Sequence, residues 1–286
     1  MNLAQLRALV AVAEHGGFTR AAAVLGLTQS AVSHAVAGLE RELGHALLHR
    51  DRSGVVVTAV GRTVLDDARQ AVRAADRVAA QAEASGAQLV GELRLGGLPS
   101  TNVAVLPALQ REFCRRYPQA RVSLLEGSDE EVLDWTEHGL VDLGCVTEAV
   151  GKVDGALLAT DEFMAVMDIG HPLAGQDGVA VGELADDPLI TSASGCEPVT
   201  EQLFHEAGLP FRPRHRATQL RTILTMISLG MGVSIMPSLL LAELPRDVVA
   251  VPLRPAVPRR IWLGHPPGAR PHALAQAFLA HVRETG

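Results

Sequence analysis

Residues 18–44 read FTRAAAVLGLTQSAVSHAVAGLERELG. Small apolar residues run to Leu25, Gly26 follows where a left-handed turn costs little, and Thr28 stands at an N-cap position before Gln29. The spacing predicts a short helix over 20–25, capped by Thr19, and a longer one over 29–43, closed by Gly44. Only Gly26, Leu27 and Thr28 lie between them, which is the tight turn of a helix-turn-helix. In the longer helix Ala31, Val32, Ala35, Val36, Leu39 and Leu43 share an inward face. Gln29, Ser30, Ser33, His34 and Ala37 are left outward near its start, where small polar groups can enter a DNA major groove.

Working outward, Leu3, Leu6, Leu9, Val10 and Ala13 predict a preceding helix over 3–13, ended by Gly16 and Gly17. Downstream, HRDRSGVVVT reads as a strand, a turn at Arg52, Ser53 and Gly54, and a returning β-branched strand, the pattern of a wing. Residues 60–85 contain no proline, and Leu65, Ala68, Val72, Ala75, Ala79 and Ala82 follow the 3-4 spacing of a coiled-coil seam. A helix packed on its own domain would satisfy the same pattern. Ser85 and Gly86 end it.

From residue 91 the order changes to alternating strands and helices. Strands are expected at 91–97, 121–126, 141–146, 163–167, 189–191, 248–253 and 260–264. Helices are expected at 102–116, 129–138, 198–207, 219–229, 238–244 and 271–284. Ser128 with Glu131 forms a capping box. This alternation predicts an open α/β sheet that binds ligands at strand C-termini.

The chain has 286 residues and a net charge of −7, but residues 1–65 hold six arginines and four acids, which leaves −9 for the rest. A mildly basic head on an acidic body excludes a globally basic nucleic-acid binder and fits a DNA-binding head with a separate body. No apolar run reaches the ~20 residues of a membrane helix, and the N-terminus does not read as a secretory signal, so a cytoplasmic protein is expected. Cys114, Cys145 and Cys196 show no disulfide or zinc spacing and read as buried reduced thiols. No nucleophile elbow, phosphate loop or paired metal-ligand motif is visible, so neither catalysis, metal nor cofactor is expected.

The stretch from Leu6 to Gly61 resembles the LysR-type family of bacterial transcription regulators. The resemblance is carried by Phe18-Thr19-Arg20-Ala21-Ala22, Gln29-Ser30-Ala31-Val32-Ser33, Leu39-Glu40-Arg41-Glu42-Leu43-Gly44 and Val57-Thr58-Ala59-Val60-Gly61. VAVLPALQREFCRRYPQARVSLLEG, EHGLVDLGCV, HPLA and SLGMGVSIMP extend it along the chain. The family pattern often has Pro where Ser30 stands and Arg where His34 stands, so the operator sequence does not transfer.

The resemblance implies a winged helix-turn-helix over 1–60, a linker and dimerisation helix over 61–88, and an effector-binding domain over 89–286. That last domain would fold as two α/β lobes like a periplasmic type 2 solute-binding protein. Lobe 1 would take about 89–160 and 264–286 and lobe 2 about 161–263, with crossings near residues 160 and 263. The partners implied are double-stranded promoter DNA, a small effector, and further copies of the chain as a dimer or tetramer.

Thr28, Gln29, Ser30, Ser33, His34, Arg50 and Arg52 are the candidate DNA contacts. Gln29 can pair bidentately with an adenine edge, and the two arginines suit phosphates. Solvated helix and wing surface is the plain alternative. Ser100, Thr101, Ser128, Thr147, Ser192, Ser194 and Cys196 are the candidate effector contacts, because they follow strands at helix starts or lie in a glycine-containing loop. Pure capping is the alternative for Ser128. Hydroxyls and amides without an arginine at these positions point to a small polar or carboxylate-bearing ligand. A periplasmic-type receptor would leave the head unexplained, and an α/β enzyme would need an acid-base or nucleophile set that the sequence does not show.

Overall fold

The structure is a computed structural model that describes residues 1–51, 54–83, 89–193 and 195–285. The chain divides into two compact units near residue 87.

The N-terminal unit begins with α1 (Leu3–His15), α2 (Phe18–Leu25) and α3 (Gln29–Leu43). Helices α2 and α3 meet at 107°, within the range of a helix-turn-helix. Gly26 takes φ 65°, the left-handed stop that a side chain would resist. Thr28 accepts from the Ala31 amide at 3.2 Å and caps α3. Thr19 does not cap α2: the helix starts at Phe18, two residues earlier than expected, behind Gly17 and with no side-chain cap. Val32, Val36 and Leu39 are buried, while Ala31 and Leu43, expected inward, are exposed.

Strands β1 (Leu48–Asp51) and β2 (Gly54–Val57) pair antiparallel as the wing. Glu40 holds the wing to α3, accepting from the Leu47 and Leu48 amides at 2.8 and 3.1 Å. Helix α4 (Ala59–Glu83) follows, opened by Thr58, whose hydroxyl accepts from the Gly61 amide at 2.9 Å. A Cβ at Gly61 would overlap the Leu47 carbonyl oxygen, so the glycine lets α4 approach the chain before the wing. Leu65 and Ala68, expected in a seam between two copies, are buried against Leu6, Leu9, Leu39 and Leu47 of the same unit, with Val72 partly so.

In the C-terminal unit, β3 (Gly91–Gly97) pairs in parallel with both β4 (Ala120–Glu126) and β5 (Leu143–Thr147). The expected helix over 102–116 is two: α5 (Pro99–Ala104) and α6 (Leu106–Arg116), broken at Val105 where Pro107 starts a new first turn. Helix α7 (Asp129–Glu137) leads into β5. Strand β6 runs for 15 residues, Asp154–Asp168. Its first half pairs with β11 (Pro258–His265), and its second half pairs with β9 (Ser234–Pro237) and β10 (Val248–Pro252). Strand β7 (Ile190–Ser192), α8 (Glu197–Glu206), β8 (His215–Ala217) and α9 (Leu220–Ser228) complete the second lobe, and α10 (Ala273–Thr285) returns to the first. Strand β8 has no counterpart in the sequence reading.

Two cores follow from this path. The first gathers Leu93, Leu95, Phe113, Leu143, Ile261, Leu263 and Phe278. The second gathers Phe163, Ala165, Met167, Phe204, Val251 and Leu253. Val166, between Ala165 and Met167, faces a further cluster with Ile190, Ile223 and Met236, so this part of β6 is covered on both faces. The second crossing does not fall near 263. Ile261 and Leu263 belong to the first core and Val257 packs on the second, which puts the passage between 257 and 261. Arg94 and Asp142 lock the first lobe through a paired contact, Nη2 to Oδ1 at 2.9 Å and Nε to Oδ2 at 3.2 Å. The His272 ring nitrogen stands 3.7 Å from the same carboxylate.

Candidate functional site

At the start of α3, Gln29, Ser30 and His34 are exposed and Ser33 is half-buried. Thr28 carries the cap, and its hydroxyl also lies 3.0 Å from that of Ser30. The capped end therefore presents Gln29 and His34 on a fixed helix whose opposite face, Val32 and Val36, is locked in the core. Arg50 lies in β1, but its side chain and the whole of Arg52 lie outside the described residues.

The C-terminal unit holds a cleft of about 1330 Å³ between its two lobes. Ser100, Ser128, Thr147, Ser192 and Cys196 line it. Ser194 lies outside the described residues. Thr101 does not line it: its fully buried hydroxyl accepts from the Leu98 amide at 2.9 Å and donates to the Leu98 carbonyl at 3.0 Å, closing the first turn of α5. Ser128 lines the cleft but spends its side chain as a cap. It accepts from the Glu131 amide at 3.3 Å while Glu131 accepts from the Ser128 amide at 2.9 Å.

The sequence reading missed the strongest polar feature of the cleft. Arg259, on β11, donates through Nε and Nη2 to Asp161 at 2.7 and 2.8 Å and from Nη2 to the Ser100 hydroxyl at 3.0 Å. The Asp161 side chain is 2% exposed and that of Arg259 10%. The pair pins β11 to β6 where both strands pass between lobes, and the Arg259 guanidinium lies 5.7 Å from the centre of the Phe163 ring. Ser100 is thus met by an arginine 159 residues later. Neighbours in sequence carried no sign of it.

Asp129 is the second missed group. Its Oδ1 accepts from the Thr147 amide at 3.2 Å. Burial pushes its carboxyl above the ordinary value, outweighing the Thr147 hydrogen bonds and the pull of Arg259. Eight carboxylates and two guanidiniums line the cleft among the described residues, a balance that favours the small polar alternative expected from the sequence over the carboxylate-bearing one.

Burial also pushes the Cys196 thiol up to about 11 and the Cys145 thiol up to about 12. Both stay protonated at neutral pH, the unreactive form. Among the described residues, no group of three His, Cys, Asp or Glu is placed to hold a metal.

Comparison with known proteins matches residues 3–62 to "Bacterial regulatory helix-turn-helix protein, lysR family" and residues 86–286 to "LysR substrate binding domain". The chain is 29% identical over 287 residues to the uncharacterized HTH-type transcriptional regulator YvbU of Bacillus subtilis, covering 99% of this chain and 98% of that one. It is 30% identical over 294 residues to the DNA-binding transcriptional dual regulator OxyR of Escherichia coli, covering 99% and 96%. Among solved structures, a full-length OxyR variant from Pseudomonas aeruginosa superposes with a TM-score of 0.80 at 23% identity, covering 99% of this chain and 98% of that one. CbnR in complex with its target DNA superposes with a TM-score of 0.69 at 23% identity over the whole of both chains.

Proposed function

Because this chain belongs to the bacterial LysR family of DNA-binding transcription regulators, we propose that α3 reads its promoter and that a small molecule held between the two C-terminal lobes tunes the response. One observation carries the DNA reading. A capped α3 stands at 107° to α2, with Gln29, Ser30 and His34 turned to solvent. Residues 1–60 then form the DNA-binding head, 61–88 the linker and dimerisation helix, and 89–286 the effector domain. Thr28 serves by capping. Gln29, Ser30, Ser33 and His34 meet base edges or phosphates, and Arg50 and Arg52 meet phosphates.

The cleft suits a small-molecule effector because it is concave, lies at strand ends and combines aliphatic walls with a few fixed polar groups. Ser100, Thr147 and Ser192 are the candidates retained there, joined by Asp129 and Arg259. The hydrogen peroxide named for several relatives does not suit this chain as a trigger through Cys196, whose thiol is buried and held protonated. The chain acts without catalysis, in the cytoplasm, as a dimer or a tetramer. That no single described helix is long and apolar enough to cross a membrane is compatible with this.

The test is a gel-shift of the full chain on DNA from upstream of its own gene, against a scrambled duplex of equal length. Binding at least ~10³-fold tighter to the upstream DNA is expected. Equal affinity for both duplexes would refute the reading.

A further inference from the structure

We infer that the cleft selects a small organic cation, an ammonium carried on an apolar carbon body, with Asp129 as its counter-charge. The inference rests on the reading of the cleft as the effector site and names the chemical class that site takes.

Among the described residues, both arginines that line the cleft and the starts of α7 and α8 are already matched by the protein's own acids. The Nε and Nη2 of Arg259 are bound to Asp161, and Arg260 stands 3.5 Å from Glu148. The start of α7 carries Asp129, Glu130 and Glu131, with Glu131 closing the Ser128 cap. The start of α8 carries Glu197, itself 2.8 Å from Arg216. An anionic ligand approaching Arg259, Arg260 or these two helix starts would have to displace a carboxylate. A cation displaces none.

Of the acids lining the cleft among the described residues, Asp129 and Glu197 are half-buried, and Asp129 is the one without an ion pair. Its hydrogen bonds come from the amide and the hydroxyl of Thr147, both neutral donors, and Arg259 is committed to Asp161. Its Oδ2 points at the opposite lobe, lying 3.8 Å from where a Cβ on Gly195 would stand, and Gly195 has none. An ammonium in the cleft within hydrogen-bond reach of Asp129 would restore the missing counter-charge. A carboxyl already pushed above its ordinary value by burial gains from such a partner. The walls of the cleft include Leu133, Val150, Leu203, Leu220 and Leu240, which suit a carbon body and not a hydrated ion. The lack of a three-ligand cluster among the described residues sets a bare metal ion aside.

Three probes of one length separate charge from apolar contact: hexylamine, hexanol and hexanoate. Each is titrated into the full chain by calorimetry, with melting temperature as a second readout. Hexylamine should bind saturably, at least about tenfold more tightly than hexanol, which corresponds to one charge-assisted hydrogen bond. Hexanoate should not bind. Asp129→Asn, of equal shape, should cost hexylamine at least about tenfold and leave hexanol unchanged, and without ligand it should melt no lower than the wild type.

Hexanoate binding as tightly as hexylamine, no binding of any probe, or hexylamine binding unaltered in Asp129→Asn would each overturn the inference. Leu133→Trp, which fills the cleft, separates this failure from failure of the effector reading. If hexanoate or hexanol binds the wild type and is lost in Leu133→Trp, the effector cleft stands and only its sign is wrong. Hexylamine binding unchanged in both Asp129→Asn and Leu133→Trp would sink both.

Discussion

Gln29 sits one residue inside a capped helix, with its side chain exposed and its backbone held by the Thr28 cap. Gln29→Ala should therefore leave the fold intact and lower discrimination between promoter and scrambled DNA by ~1–3 kcal/mol. Binding isotherms on both duplexes measure it. An unchanged ratio would displace Gln29 from the base-reading role. Asp142 gives a different prediction. Burial raises its carboxyl, but hydrogen bonds from His272 and Arg94 and the Arg94 charge outweigh burial and hold it well below the usual range. A carboxylate lowered on folding adds stability above the ordinary carboxylate pKa and loses it as pH falls through the lowered value. Asp142→Asn should cost about 2–3 kcal/mol at pH 7, and the gap should narrow at pH 3. Urea denaturation at the two values tests this. At this scale the sequence was readable wherever a residue acts on near neighbours. Gly26, Thr28 and the Ser128–Glu131 box do what their local pattern demands. Arg259 and Asp161 were not readable, because their meaning depends on a partner 98 residues away.

Helix α4 shows how one spacing serves two purposes. Leu65 and Ala68 obey the seam period, yet they close the core of the head. Exposed Ala71 and Val78, with half-buried Ala75 between them, repeat the 4-3 step on a neighbouring stripe. Leu65→Ala should thus destabilise the head by ~2–5 kcal/mol, measured by thermal melting. Val78→Asp should change stability by less than ~0.5 kcal/mol, since Val78 is 67% exposed. It should also reduce the mass seen by light scattering to that of one chain at micromolar concentration. A dimer persisting in Val78→Asp would remove this stripe from the contact. Periodicity reveals which residues share a helix face but not what covers that face. Likewise β8 reads His215-Arg216-Ala217 and has no apolar run to mark it, and the break at Val105 falls inside one continuous helical pattern.

At the scale of the whole chain, the βα alternation and the family pattern made the helix-turn-helix head and the two-lobed body legible. The cleft between lobes was legible as a place but not in its charge. Its acids come from α7, from Glu148 just after β5 and from α8, and only the fold collects them. Strand β6 has a further consequence. One unbroken 15-residue ribbon is hydrogen-bonded into both lobes, with Ala156 in one core and Phe163, Ala165 and Met167 in the other. The lobes therefore cannot melt as separate bodies, since unzipping either one strips half of a strand that the other needs. Differential scanning calorimetry of the full chain should show the C-terminal unit as one cooperative transition, whose calorimetric enthalpy equals its van't Hoff enthalpy. Two resolved peaks from this unit would mean that β6 breaks at the crossing. A shared ribbon makes the sensor one thermodynamic body with a hinge in its middle, so strain placed at the cleft is felt in both lobes at once.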